Sequence, residues 1–350
     1  MCRFLPQLAR WAVAAVLTGA CALAWGGGEA IRGAGATFPA PLYLAWADAY
    51  RRATGVQVTY DAVGSGAGIE RIRRHEIDFG GSEAPLTPQQ LVADGLLQFP
   101  MVIGGVVPVI NMHGIGDGEL RLSGAILADI YLGRIRRWNE KPIADLNPQL
   151  ALPNALITVV HRADSSGSSL LFTDYLSRSS PRWRMAVGAS LMPAWPQGVG
   201  GTGNEGVASY VQRTRFALGY VEYAYARQHH LSGVTLRNHS GTFVQAGPDT
   251  FGAAALTANW KDLHATDEIA TDLPGTGSWP ITGASFILIS SAPDRAERTA
   301  AVLQFFNWAL QHGEPIERAL KYVPVPRALV EQLPAAWREI RDPTGRPVWQ

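Results

Sequence analysis

One stretch of this chain gathers most of its chemistry: His161-Arg162-Ala163-Asp164-Ser165-Ser166-Gly167-Ser168-Ser169. Hydroxyls, small residues, one guanidinium and one carboxylate stand within nine positions. An apolar, β-branched run, Leu156-Ile157-Thr158-Val159-Val160, precedes it, and Leu170-Leu171-Phe172-Thr173-Asp174-Tyr175-Leu176 follows. This pattern predicts strand, polar turn, helix. The first backbone N–H groups of a helix have no intrahelical acceptor, and they carry the positive end of its dipole. A turn rich in Ser and Gly before such a start suits an oxyanion. Where Arg162 to Asp164 is extended, the two side chains share a face, and Asp164 can hold the guanidinium fork in one orientation. A plain helix cap with a surface ion pair accounts for the same residues.

Two further turns repeat the chemistry. Gly33-Ala34-Gly35-Ala36-Thr37-Phe38-Pro39-Ala40-Pro41 leads into a helix through Leu42, Trp46, Ala49 and Tyr50 that stops near Gly55. The prolines suit a first turn, where a missing N–H costs nothing. Strand 56–60 follows, then Gly64-Ser65-Gly66-Ala67-Gly68 and a helix over 69–74. Taken singly, each turn reads first as a cap. Three of them with an Arg–Asp pair point to one tetrahedral oxyanion. Micromolar binding needs about 8 kcal/mol. Helix ends supply roughly 0.3–1 kcal/mol each, so charge-assisted hydrogen bonds must supply the rest.

The elements that must position these turns alternate between strand and helix, which places the chain in the α/β class. Residues 77–85 read as a strand running into a turn. Residues 98–111 form a continuous apolar run of the kind found in fully buried parallel strands. Helices are expected over 123–132, 300–310 and 330–340, strands over 216–221 and 285–289, and an irregular connection over 138–153. At 350 residues about two domains are expected. The composition, 47% hydrophobic and 17% charged, is that of a folded globular protein. Residues 1–24 read as a secretory leader cleaved after Ala24, with lipoprotein processing at Cys21 as the rival. Loss of Arg3 and Arg10 with that leader takes the net charge from +1 to −1. A near-neutral chain without basic blocks is a poor partner for nucleic acid or an anionic membrane. Both cysteines, Cys2 and Cys21, fall in the leader, so the cleaved chain has no disulfide, thiol nucleophile or Cys-zinc site.

With these residues in view, the chain resembles the PstS-type phosphate-binding proteins, periplasmic receptors of phosphate ABC transporters. The resemblance rests on residues 33–41, Asp78-Phe79-Gly80, Ala84-Pro85-Leu86, residues 100–107, Arg162-Ala163-Asp164 with Ser166-Gly167, Gly219-Tyr220-Val221-Glu222-Tyr223-Ala224 and Trp279-Pro280-Ile281-Thr282. It implies a two-lobed periplasmic binding protein fold of type II with the ligand in the interlobe cleft. Lobe I would comprise 25–102 and 280–350, and lobe II 103–279, with crossings near Val102 and Trp279. It implies Thr37 and Phe38 as a first loop giving a hydroxyl and an N–H, and Ser65 as a second giving both. Arg162 would be the anion-binding arginine and Asp164 its orienter, with Ser166, Gly167 and Ser168 as the third loop. The family usually has Thr where Ser168 stands. It further implies inorganic phosphate as ligand, transmembrane permease subunits as partners, a monomer, no cofactor, no metal and no catalysis.

One departure bears on selectivity. Where the family has an Asp that accepts the proton carried by phosphate, this chain has Glu83. Glu keeps the charge but is one methylene longer. It either still accepts that proton or folds away to solvent beside Pro85. The alternatives to a phosphate receptor are a binder of another oxyanion or phosphorylated small molecule, and a secreted phosphatase-like enzyme. The latter needs an activated nucleophile or a metal cluster, and neither is visible. The eight histidines show no metal-ligand spacing, and Gly198-Val199-Gly200-Gly201-Thr202-Gly203 follows no expected strand, so it reads as a tight loop before a helix over 206–212 rather than a dinucleotide fingerprint. The scattered tryptophans read as core.

Overall fold

The computed structural model describes residues 29–258 and 271–350. The expected leader, both cysteines, His264 and Trp260 lie outside the described residues. One mixed sheet runs through the molecule. Its order is Val58–Ala62, Ile31–Gly35, Phe79–Ser82, Thr282–Ser290, Leu96–Ile110, Ala217–Glu222, Thr158–Arg162, Val199–Gly201. The three strands at each end are parallel among themselves. The fold is α/β, with helices on the faces of both parallel ends.

The long strand Leu96–Ile110 joins the two ends. Its first part pairs with Thr282–Ser290, and from Val106 onward it pairs with Ala217–Glu222. The partner changes between Gly105 and Val106, where the chain returns through Trp279 and Ile281; Val106 N donates to Ile281 O at 2.9 Å. The expected parallel strand is therefore antiparallel to every partner. Its unbroken apolar run reflects burial on both faces, which any covered central strand needs whatever its direction.

The first helix, Ala40–Thr54, ends at Gly55 with φ 79°, the left-handed cap expected there. It buries Leu42, Tyr43, Trp46, Ala47 and Tyr50, a stripe of helical period, against Ala296–His312. Tyr43, Phe79, Phe99, Phe306 and Trp337 then form one aromatic cluster. Tyr131, Phe172, Trp183, Trp195 and Tyr220 form a second at the other end of the sheet. The two clusters lie toward opposite ends of the sheet within one continuous hydrophobic core.

Three other expectations are corrected. The helix expected over 330–340 is two short pieces, Arg327–Val330 and Leu333–Trp337, because Pro334 cannot continue a helix and can only begin one. The glycine loop at 198–203 contains a short strand, Val199–Gly201, paired with Val160 to Arg162, and its helix begins earlier, at Gly203. The connection over 138–153 carries a single helical turn, Lys141–Ala144.

Candidate functional site

Thr158–Arg162 ends on Arg162, and the helix Gly167–Ser179 begins five residues later with Ser166 as its cap. Ser166 Oγ accepts from Ser169 N at 3.1 Å, so that hydroxyl is used within its own helix. Arg162 is 3% exposed. Its Nε donates to Asp164 Oδ1 at 2.7 Å and its Nη2 to Asp164 Oδ2, the two-pronged pairing expected from the i, i+2 spacing. Gly203 N adds a 3.0 Å bond to Asp164 Oδ1. Burial alone would raise the Asp164 carboxyl. The guanidinium and the Gly203 N–H outweigh it and hold Asp164 below the usual carboxylate range.

Across from this pair stand residues from the other end of the sheet. Ser65 opens the helix Ser65–Arg73, and Glu83 follows the strand Phe79–Ser82. Ser65 Oγ lies 3.2 Å from Glu83 Oε2, to which it donates, and it accepts from Gly167 N at 3.0 Å. One hydroxyl thus spans the seam between the two halves. Glu83 is 2% exposed, so the solvent-facing alternative does not hold. Burial pushes its carboxyl up to about 8; Arg162, Ser285 and Ser65 oppose the rise without cancelling it. Ser285 is alongside, yet Glu83 Oε1 makes no hydrogen bond of ordinary geometry, and Ser168 Oγ is likewise buried without a partner. Unpaired buried polar atoms are costly, and the free Glu83 oxygen within the field of a paired guanidinium marks a place able to receive a hydrogen bond.

Thr37 comes into the same seam. Its hydroxyl accepts from Asn204 N at 3.3 Å and from Asn204 Nδ2 at 2.8 Å, which leaves its proton free to donate. Phe38 buries its ring against Gly104 and Tyr322, so only its backbone can serve a ligand. The structure therefore brings Thr37, Phe38, Ser65, Glu83, Arg162, Asp164, Gly167 and Ser168 to one interlobe seam, with Ser166 capping beside them.

A supporting layer was not anticipated. Tyr220 OH accepts from Arg162 N at 3.2 Å and shares a proton with Ser169 Oγ at 2.7 Å. Asn204 Oδ1 accepts from Glu222 N at 2.9 Å, Tyr225 OH donates to Thr37 O at 2.8 Å, and Tyr322 OH lies 2.7 Å from Phe38 O. These residues stand tens to hundreds of positions from their partners, beyond any local spacing rule. Only the stretch 219–224 carried a signal, through its likeness to a family motif.

Two α/β halves closing on a buried arginine and a set of helix starts define a class, the two-lobed binding proteins. Consistent with it, a family model described as a PBP superfamily domain matches residues 24–312. The chain is 45% identical over 323 residues to the phosphate-binding protein PstS of Pasteurella multocida, covering 92% of this chain and 94% of that one. It is 46% identical over 310 residues to PstS of Haemophilus influenzae, covering 89% and 93%. The solved phosphate-binding protein of Stenotrophomonas maltophilia superposes with a TM-score of 0.67 at 22% identity, over 88% of this chain and 94% of that one, a likeness of fold. The chain belongs to the PstS-type family of phosphate-binding proteins.

Proposed function

We propose that this chain is a periplasmic receptor that binds inorganic phosphate between its lobes and delivers it to the transmembrane permease of an ABC transporter. The observation that carries the reading is the buried Arg162–Asp164 pair facing Ser65 and Glu83 across the seam. A guanidinium fixed by its own carboxylate presents its remaining N–H donors to a tetrahedral anion. The Thr37 and Ser168 hydroxyls, the Ser65 hydroxyl once its proton turns from Glu83, the backbone N–H groups of Phe38 and Ser65, and that of Gly167 once released from Ser65 Oγ supply the other donors. Ser166 contributes through the backbone of its turn. Glu83 takes the proton that monoprotonated phosphate carries and fully ionised sulfate lacks, a contact of the kind that separates close analogues strongly.

The lobes we assign to this function are 25–102 with 280–350, and 103–279. A ligand held from both sides stabilises the closed form, since only that form makes every contact. Closure is then the signal the permease reads, with the receptor acting as a monomer and without turnover. Relatives named phosphate-binding protein PstS support the ligand and the transport role. Among the described residues no helix is long and apolar enough to cross a membrane, and none of the His, Cys, Asp and Glu side chains cluster as a metal site would require.

Glu83 in place of the family Asp favours one rival, a receptor for another oxyanion. Titration of the purified chain with phosphate, sulfate and arsenate, followed by tryptophan fluorescence, decides between them. Saturable binding of phosphate at micromolar or lower concentration, with sulfate at least tenfold weaker, supports the proposal. Preference for sulfate, or no response to phosphate, overturns it. Release of phosphate from an added phosphate ester would point to the enzymatic alternative.

A further inference from the structure

Glu222 is a second buried carboxyl at the seam, and the binding site described above makes no use of it. It ends the strand Ala217–Glu222 opposite Val106, where the long strand changes partners and the lobes join. It is 1% exposed. Its Oε2 accepts from Ala224 N at 2.8 Å as the cap of the helix Tyr223–Gln228. The same oxygen lies 3.1 Å from Tyr322 OH, which belongs to the C-terminal part of the chain beside the other lobe.

Counting protons assigns this contact. Tyr322 OH is also 2.7 Å from Phe38 O, and a carbonyl can only accept. The single Tyr322 proton therefore goes to Phe38. Tyr322 OH can reach Glu222 Oε2 only as the longer arm of a shared bond, and the contact is a full hydrogen bond when Glu222 carries a proton on Oε2 and donates it to the Tyr322 oxygen. We propose that Glu222 is a protonated clasp between the lobes, a positioning residue that acts through Tyr322 to hold the Phe38 carbonyl and so fixes the Thr37–Phe38 loop in its anion-binding position.

The surroundings agree. Burial first, with the Glu83 carboxyl adding to it, keeps the Glu222 carboxyl well above its ordinary range; the N–H groups of Ala224 and Tyr225 and the Tyr322 hydroxyl oppose this only in part. The titratable groups around it are Tyr322 from the C-terminal segment, Tyr223 and Tyr225 on its own helix, and Glu83 from the opposite lobe, with Arg162 and Glu205 reaching Tyr225. Two carboxyls in one dry seam disfavour joint ionisation. The backbone of Glu222 also holds Asn204, which holds the Thr37 hydroxyl, so both residues of the loop are tied to this one position. Ionisation would make Glu222 the stronger acceptor, turn the Tyr322 proton toward it and away from Phe38 O, and so release the loop.

The proposal rests on phosphate as the ligand for one of its two tests and is independent of it for the other. Infrared difference spectroscopy of the unliganded chain at neutral pH compares wild type with Glu222→Gln. Loss of a protonated-carboxyl C=O band in the variant is expected, and an unchanged band region overturns the proposal. Phosphate titrations at pH 7 and about pH 10 then compare wild type, Glu222→Gln, Tyr322→Phe and the double variant. Glu222→Gln, which keeps a neutral donor, should match wild type within about twofold at pH 7 and bind about tenfold tighter than wild type at the higher pH. Tyr322→Phe should weaken binding by about tenfold at pH 7 and remove the difference between Glu and Gln. If Glu222→Gln tracks wild type at both pH values, the clasp is wrong. If wild type fails to bind phosphate at all, the functional reading falls and the infrared comparison alone judges the clasp.

Discussion

Glu83 occupies a place where a charge is costly, since its neighbours are Ser65, Ser285, Gly167 and the rim of a guanidinium already paired with Asp164. With its carboxyl raised from 4.5 to about 8, the folded chain holds a proton there that the unfolded chain has lost. Between those values the folded state binds more protons, so this residue makes stability fall as pH rises from about 4.5 to about 8 and leaves it flat above. Glu83→Gln should remove that slope, up to about 1.4 kcal/mol per pH unit, in urea melts of the unliganded protein across that window. The same substitution reports on selectivity. A neutral Glu83 can turn a donor toward sulfate, whereas an ionised one offers acceptors only. Phosphate-over-sulfate preference should therefore sharpen in wild type as pH passes about 8 and stay flat in Glu83→Gln. Unchanged phosphate affinity and selectivity in the variant would mean that Glu83 does not take the phosphate proton. The pair Arg162–Asp164 was readable from two positions of spacing, because an extended chain puts alternate side chains on one face. The protonation of Glu83 was not, because it depends on what the other lobe brings over it.

At the level of elements, the helix starts meet because glycines let the backbones approach. Gly64 caps Ser65–Arg73 at φ 96°, and a Cβ there would sit 2.7 Å from both Asp164 Oδ2 and Ser165 O of the other lobe. Gly167 is equally confined, with a Cβ falling 2.4 Å from Glu83 Oε2 and 2.7 Å from Ser65 Oγ. Gly64→Ala is penalised twice, by a backbone at φ 96°, ψ 152° that glycine alone adopts freely, worth about 1–3 kcal/mol, and by a clash with Asp164 and Ser165 across the seam. It should lower phosphate affinity by tenfold or more while changing the melting temperature of the unliganded protein by only a few degrees, as read by calorimetry with and without phosphate. The start and stop of Ala40–Thr54 followed from two prolines and one glycine, since caps are written locally. The direction of Leu96–Ile110 did not follow, because continuous apolarity records burial and says nothing of which neighbour pairs with the strand.

For the whole molecule, closure and ligand form one equilibrium. The seam is crossed by Ser65–Gly167, Thr37–Asn204, Thr37–Tyr225 and the Glu222–Tyr322 contact, each linking the two aromatic cores through polar groups. Polar contacts of this kind contribute about 1 kcal/mol apiece, and they add to the sheet and the buried apolar side chains that run through both halves. Phosphate at about a hundred times its dissociation constant should stabilise the fold by about 2.7 kcal/mol, seen as a higher melting temperature and a smaller radius of gyration in solution scattering. Sulfate at the same concentration, bound at least tenfold more weakly, should give at most about half that stabilisation. An equal shift from both anions would place the stabilisation outside this seam.

Short-range statistics of the chain determined the α/β class, the three helix starts with their hydroxyls and the arginine held by its aspartate, because caps, turns and alternation act over a handful of residues. Their shared chemistry pointed to one oxyanion, and the family likeness named phosphate and added Glu83. Only the tertiary structure decided that Glu83 is buried, that the central strand is antiparallel and that Asn204, Tyr220, Glu222, Tyr225 and Tyr322 hold the site from behind. Such contacts join residues far apart along the chain, and the proton balance of a buried carboxyl is set by every neighbour the fold brings to it.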